Sequence, residues 1–490
     1  MRADTSVQVA GGERKKREAN PHLWVSSTYF AEGFPYSVVH QLAEVLFKEA
    51  GASLQAIGLT SLFHLPWNLK FLWGPLLDAF ATKRAWMVTV ELLMAVLLVG
   101  LALVATSGQV LLFASLLFAL LAVLSATHDI AIDGYYLEAL DEDDQSRFVG
   151  YRASAYKVAM MLVAGPTLIF VSKVGWSAAF AATAVVMLLL MAWHQVFLPR
   201  VEVQQRPARV MLATLLRGRV LAGAVVLAAF LLAGRWLLPQ LQPLLPAGLQ
   251  TVSVSGWIAI SLLASLLLAM AMLPRLKRAL AGSDSFYAAA FVDFLAQDRV
   301  GRLLAFVVLF RAGESFLLKM RYPFLRDLGM SMEQYAFASG TVGLVASFVA
   351  TLLGGYLISR HGLRRWIWPF VLAQNTLNLL YMWLASGSGE GLPAWTLVVT
   401  LEAFGSGLGT AVFMVYLMRC CGREHRAAHM ALLTALMSLG FTIAGVASGF
   451  LAEALGFTSY FGFTFLASLP AMALIPLLPN LDRPAGGGRA

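Results

Sequence analysis

Charge is scarce in this chain. Asp, Glu, Lys and Arg make up only 13% of its 490 residues, against roughly 25% in soluble domains. Most of its surface must face something other than water, which excludes a soluble enzyme. Cysteine is nearly missing: the two present, Cys420 and Cys421, are neighbours. Adjacent cysteines rarely close a structural disulfide, so both are expected to stay reduced. The chain has no glycine-rich phosphate loop, which argues against ATP-driven pumping. Its eight histidines are scattered without ligand spacing, so no metal and no cofactor are expected. The ten-residue in-and-out alternation of an outer-membrane barrel is also lacking.

What is there is apolar and arrives in long blocks. Hydrophobic residues make up 59% of the chain, and the mean hydropathy is +0.73. A helix needs about 20 apolar residues to cross a ~30 Å hydrocarbon core. With no water there, each block must satisfy its own backbone hydrogen bonds as helix. Spans are predicted near residues 23–46, 56–78, 86–106, 109–136, 148–172, 176–198, 217–238, 253–274, 300–322, 334–358, 365–386, 394–418, 427–453 and 457–478, about fourteen in all. Arg14–Arg17 precede the first block like a signal peptide's charged region. Glu32, Gly33 and Pro35 inside that block, and the lack of a cleavage site, predict a retained first span.

Charge in the loops sets the topology. Lys83–Arg84, Arg200–Arg217, Arg275–Arg278, Arg360–Arg365 and Arg419–Arg426 fall in alternate loops, whereas the loops at 106–108, 239–252 and 386–393 carry little charge. By the positive-inside rule both termini are cytoplasmic. The net charge of +9 is thus a matter of topology, and no nucleic-acid partner is expected. The expected organisation is a cytoplasmic tail (1–22), a six-span half (23–198), a central linker (199–299), a second six-span half (300–478) and a cytoplasmic tail (479–490). The linker holds two extra spans and a short amphipathic helix, Phe286–Leu295, which is too short to cross. Six plus six about a central connection is the major facilitator plan, an all-α membrane fold whose halves rock about a central site.

A loop motif repeats in register with that plan. Gly74-Pro-Leu-Leu-Asp78 is followed by Lys83-Arg84, and at the matching place Gly355-Tyr-Leu-Ile-Ser359-Arg360 is followed by Arg364-Arg365. It resembles the major facilitator signature between the second and third helices of each half. The glycines are expected to admit close helix approach, and the acid and bases to tie helix ends in one gating state. Ser359 stands where the second acid would be.

Charges inside spans cost roughly 2.5–3.5 kcal/mol each on insertion scales and usually face a cavity or a partner. Candidates are Glu32, Lys70, His128, Asp129, Asp133, Lys157, Arg235, Arg311, Glu314, Lys319, Arg321 and Glu402. Asp129 and Asp133 share a helical face; they either take up protons or bridge to Lys70 or Lys157. Lys319, Arg321 and Arg235 are expected to snorkel to the interface. Arg311 and Glu314, three apart, are expected to neutralise each other. Glu402 sits in a glycine-rich run, and Gln374, Asn375 and Asn378 form a polar stripe that either binds cargo or bonds between helices. Gly33-Phe34-Pro35 is expected to break the first helix.

These residues carry a resemblance to AmpG-type permeases, in the peptide/acetyl-coenzyme-A transporter branch of the major facilitators. Lys70-Phe-Leu-Trp-Gly74-Pro-Leu-Leu-Asp78, Ser125-Ala-Thr-His128-Asp129-Ile-Ala-Ile-Asp133 and Tyr156-Lys157 resemble its first-half motifs. Arg311-Ala-Gly-Glu314-Ser-Phe316, Gln374, Asn378, Tyr381 and Glu402 with its glycines resemble those of its second half. His128 stands where that family has glutamine. The resemblance implies proton-driven import of anhydro-muropeptides across the bacterial inner membrane. Asp129, Asp133, Glu314, Glu402 and Glu32 would be proton-coupling residues. Lys70, His128, Tyr156, Lys157, Arg311, Gln374 and Asn378 would contact cargo. The partners are then a small solute, protons and the lipid bilayer, with the chain a monomer. A siderophore or acyl-coenzyme-A cargo and a non-transporting sensor of wall fragments are the alternatives.

Overall fold

The computed structural model describes residues 20–70, 73–201, 286–422 and 426–479, with isolated positions between 207 and 275 and at 481. Helix occupies every expected span outside 217–238 and 253–274, which fall outside the described residues but for isolated positions. Strand is not found among the described residues beyond a single bridge position. Seven described stretches of helix are long and apolar enough to cross a membrane.

The first half begins with α1, residues 21–49. The Asn20 side chain accepts the His22 N–H at 3.0 Å, and Pro21 at the first position needs no partner for its nitrogen. The expected break at Gly33–Pro35 is not found. α-Helix runs through Pro35 to Ser37 and then widens into a π turn, Val38–Leu42, which re-registers the hydrogen bonds that a proline disturbs. Gly33 serves packing instead: a Cβ there would lie 2.8 Å from the Tyr156 carbonyl. α2, residues 54–69, is capped by Ser53 and interrupted by a 3₁₀ turn, Thr60–His64; a short helix, Gly74–Ala79, comes after it. α3 (Lys83–Val104) and α4 (Val110–Ala139) are continuous. α5, residues 142–174, contains a π turn, Val163–Thr167, around Pro166. α6 is Trp176–Phe197.

The amphipathic segment Phe286–Leu295 is helical as expected and is labelled α7. In the second half, α8 (300–327) is interrupted at Phe310–Arg311. α9 (332–361) starts in a Ser331/Gln334 capping box and opens into a π turn, Ala336–Gly343. α10 (363–385) is interrupted at Leu377–Asn378, and α11 (Leu392–Cys420) is unbroken. α12 (426–455) and α13 (457–474) meet at Gly456, whose φ of 69° favours glycine.

Within the first half, α1 packs on α5 and α3 packs on α4 and α6; within the second, α11 packs on α9 and α10. The halves meet at two crossings. The start of α2 lies on α12, where Gly58 and Gly449 let backbones touch. The π turns of α5 and α9 face each other through Gly165 and Gly340. Ion pairs tie the same end: Lys48 to Asp327 at 2.6 Å, Arg326 to Glu49 at 2.6 Å, Lys319 to Glu44 at 3.5 Å and Lys173 to Glu333 at 3.6 Å. Among the described residues every ion pair between the halves lies at this end, opposite the start of α1.

Candidate functional site

Between the halves lies a cavity of about 310 Å³. α1, α2 and α5 line one side; α8, α9, α11 and α12 line the other. Arg311, Glu314, Lys319, Arg321 and Glu402 line this cavity, and Lys70, Asp129, Asp133 and His128 have partners elsewhere.

On the second-half side Glu314 is the centre. Arg311 reaches it with both arms, Nε to Oε2 at 2.8 Å and Nη2 to Oε1 at 2.7 Å. Gln374 donates to Oε2 at 2.8 Å, and Ser406 donates to Oε1. This carboxylate is only 2% exposed, so a full set of donors is what makes its burial tolerable. The interruption at Phe310–Arg311 places Arg311 just before the first turn that carries Glu314. Gly409 explains the glycine run on α11: a Cβ there would overlap the Gln374 side chain that holds Glu314. Two turns further along α8, Arg321 donates to Glu402 at 3.0 Å and lies over the Tyr335 ring.

Lys319 and Arg321 do not snorkel. Lys319 donates to Thr60 at 2.6 Å and pairs with Glu44 of α1, and both cations line the cavity. The reason is local supply: Glu44 and Glu402 offer partners inside the protein, which removes the need to reach the interface. Arg235 lies outside the described residues.

The first-half carboxylates form a separate cluster towards the untied end, outside the residues that line the cavity. Asp129 is bonded by Lys70; Asp133 accepts from Tyr29 and from Arg152, each at 2.8 Å. The Arg152 guanidinium stacks 4.3 Å from the Tyr29 ring and 4.8 Å from that of Tyr136. Asp133 thus pairs with Arg152 rather than with Lys70 or Lys157. Glu32 sits beside Asp129, and its Oε2 is buried without a partner. Lys157 faces Arg311 of the opposite half, and Tyr156 packs against Tyr36 at 5.7 Å.

His128 does not contact the cavity. It is fully buried between helices of the first half, its Nε2 3.2 Å from Glu91 Oε1. His194 Nδ1 approaches the same oxygen at 2.6 Å, and its Nε2 lies 3.1 Å from Ser27 Oγ. A helix turns about 100° per residue, so Asp129 faces Lys70 while its neighbour faces the lobe interior. Gln374 and Asn378 are also buried away from the cavity; the first supports Glu314, and Nδ2 of the second has no partner.

In the loop motifs, Lys83 pairs with Asp78 and Arg84 donates to the Gln195 carbonyl. Arg360 lies 5.4 Å over Tyr356, and Ser359 bonds only its own helix. Gly74 and Gly355 are not close-packing positions, since a Cβ at either would meet nothing within 4 Å. Gly354 is the tight one, 2.8 Å from the Ala411 Cβ. Arg364 and Arg365 follow at the start of α10.

Sequence reasoning passed over Tyr36, His40, Glu44 and His64, which line the cavity, and Glu91, His194 and Arg152. A signal was available: His40 and Glu44 are ionisable groups four apart inside the first span, and Glu91 lies inside the third. Both cysteines are free and buried, and no group of three or more metal-ligating side chains occurs among the described residues.

Two family models match the chain: Acetyl-coenzyme A transporter 1 over residues 23–162 and Major Facilitator Superfamily over residues 303–489. An anhydromuropeptide permease of Escherichia coli K12 is 23% identical over 453 residues, covering 91% of this chain and 77% of that one. An uncharacterised Haemophilus influenzae protein is 25% identical, covering 91% of both. An AmpG-named transporter of Rickettsia conorii is 21% identical over 91% of this chain and 93% of its own. Among solved structures, a peptide transporter of the POT family in complex with sulfate superposes with a TM-score of 0.67 at 16% identity, over 93% of this chain and 94% of that one. A NupG nucleoside transporter gives 0.63 at 13% identity, over 93% and 100%. At these identities the structures speak for the fold alone.

Proposed function

Starting from a transporter of the major facilitator type with anhydromuropeptide permeases among its homologues, we propose a proton-coupled importer of anhydro-muropeptides. It works in the bacterial inner membrane, as a monomer with both termini in the cytoplasm, and its six-helix halves (23–198 and 300–478) rock about the central cavity. With that orientation the tied end lies outside, the arrangement from which an importer releases cargo to the cytoplasm.

The observation that carries this reading is Glu314 under Arg311. In this state the carboxylate occupies the guanidinium that an anionic cargo would need. A proton on Glu314 removes the competing charge and frees Arg311 for a carboxylate of the peptide. Proton and cargo then bind with positive coupling, which symport requires. Glu402 under Arg321 repeats the arrangement, and Asp129, Asp133 and Glu32 with Lys70 form a second proton-accepting cluster in the first half. Lys157, within electrostatic reach of Arg311 though not on the cavity lining, adds positive charge near the cargo's path, with Tyr156 beside it. An acyl-coenzyme-A cargo, suggested by the match over residues 23–162, is the alternative.

Uptake of labelled anhydro-muropeptide into proteoliposomes tests the coupling. An imposed gradient, alkaline inside, is expected to drive accumulation, and Glu314→Gln to keep exchange while losing that accumulation. Uptake indifferent to the gradient, to E314Q and to D129N overturns the mechanism.

A further inference from the structure

The coupling chemistry leaves one wall of the cavity without a task. On the first-half side Tyr36, His40 and His64 line it, and Phe441 of α12 ends the row. The His40 and His64 rings stack 3.6 Å apart, Tyr36 lies 4.2 Å from His40, and Phe441 meets His64 edge-on at 5.4 Å. Trp67 backs the row, 5.1 Å from Tyr36. These rings fill the spaces between one another. A flat cargo ring has no slot to slide into, so cargo must lie against their outer surface.

The same wall holds hydrogen-bonding capacity that no described residue meets. His40 Nε2, Gln41 Oε1 and Ser61 Oγ are buried and without partners, and neither the Tyr36 hydroxyl nor the His64 ring makes a hydrogen bond among the described residues. His40 Nδ1 lies 2.7 Å from the Tyr36 carbonyl, which fixes the proton on Nδ1 and leaves Nε2 an acceptor. Buried polar atoms almost always have partners, so a cluster of such atoms beside a cavity marks groups to be satisfied by what enters it. The wall offers no free charge: the nearest cation, Lys319, is held by Thr60 and Glu44. A carboxylate or phosphate gains nothing here, and an alkyl chain leaves the polar atoms unmet. A pyranose ring, with an apolar C–H face and a rim of hydroxyl and acetamido groups, satisfies both surfaces.

We infer that Tyr36, His40, His64 and Phe441, with Gln41 and Ser61, form a pyranose subsite. This rests on the muropeptide reading and divides the cargo, sugar on the α1–α2 wall and charged peptide on the α8–α11 wall.

The test is titration of the purified full-length protein, followed by tryptophan fluorescence, with three probes: intact anhydro-muropeptide, the peptide-free anhydro-disaccharide and the sugar-free peptide. Tyr36→Leu and His64→Leu are expected to weaken disaccharide binding at least tenfold while leaving peptide binding unchanged, which also reports an intact fold. His64→Phe keeps the ring but not its nitrogens and is expected to fall between wild type and H64L. If the wild type binds intact muropeptide and these variants bind disaccharide as it does, the subsite is wrong and the transport reading stands. If the wild type binds the sugar-free peptide but not the disaccharide, the subsite is also overturned. If none of the three probes binds, the muropeptide reading falls and the subsite with it.

Discussion

Glu91, His128 and His194 show how single residues spend charge inside this protein away from the cavity. All three are fully buried, and two imidazoles share one carboxylate oxygen. Removing one partner of a buried charged set costs about 3–5 kcal/mol, because the remaining charge stays desolvated. His194→Ala is therefore expected to lower thermal stability in detergent, read by a scanning unfolding assay. Glu91→Gln should cost less, since it removes the charge itself. Equal stability of H194A and wild type contradicts the pairing. At the cavity, Gly409→Ala is expected to abolish gradient-driven uptake. Its Cβ displaces Gln374 from Glu314. That leaves a buried carboxylate short of a donor, so the unfolding temperature is expected to fall as well, with Gln374→Ala as the control that removes the same donor without the added methyl. The sequence shows that the α11 glycines matter, but not that one of them exists to make room for a neighbour's amide.

Between elements, the tied end is held by short contacts that close approach permits. Facing π turns of α5 and α9 meet at Gly165 and Gly340, and a Cβ at Gly340 would overlap the Ala164 backbone. Gly340→Ala is expected to push the halves apart there. Cysteines placed at Ala52 and Leu328 should then label faster with a membrane-impermeant maleimide than in the parent; unchanged labelling contradicts the crossing. The ion pairs add a pH dependence whose sign follows from Glu49, which lies beyond the first predicted span. Burial pushes its carboxyl up, but hydrogen bonds from Arg326 and Tyr322 and the charges of Arg326 and Lys48 outweigh this and hold it below the usual range. A depressed value means the tie is fully present above the ordinary glutamate value, about 4.3, and is lost as pH falls through the lower value. Spin-label distances across this end should hold from pH 8 to 5 and lengthen only under stronger acid; Glu49→Gln should lengthen them at every pH. The breaks in α1, α5, α8, α9 and α10 were mostly illegible beforehand. Hydropathy reports that a block is apolar, whereas a π turn after Pro35 or an interruption at Arg311 depends on which neighbour supplies the missing hydrogen bonds.

For the molecule as a whole, low charge, long apolar blocks and charge-poor alternate loops were enough to read a multi-pass helical transporter, and the repeated loop motif pointed to the major facilitator plan. The site was legible only in part. Glu314, Glu402 and Arg311 could be found because charge inside a span demands a cavity or a partner. Lys319 and Arg321 were misread because their partners, Glu44 and Glu402, come from helices far away in sequence. His128 was misread because one step along a helix turns a side chain from cavity to core. Halves tied at one end around a cavity with competing charge pairs are what the proposed carrier, exchanging its cargo between two faces, requires. Solute counterflow reads this most directly. Proteoliposomes preloaded with unlabelled anhydro-muropeptide, held without any ion gradient, should transiently accumulate labelled muropeptide from outside above its external concentration. Ligand binding without such exchange contradicts a carrier and leaves a sensor of wall fragments in its place.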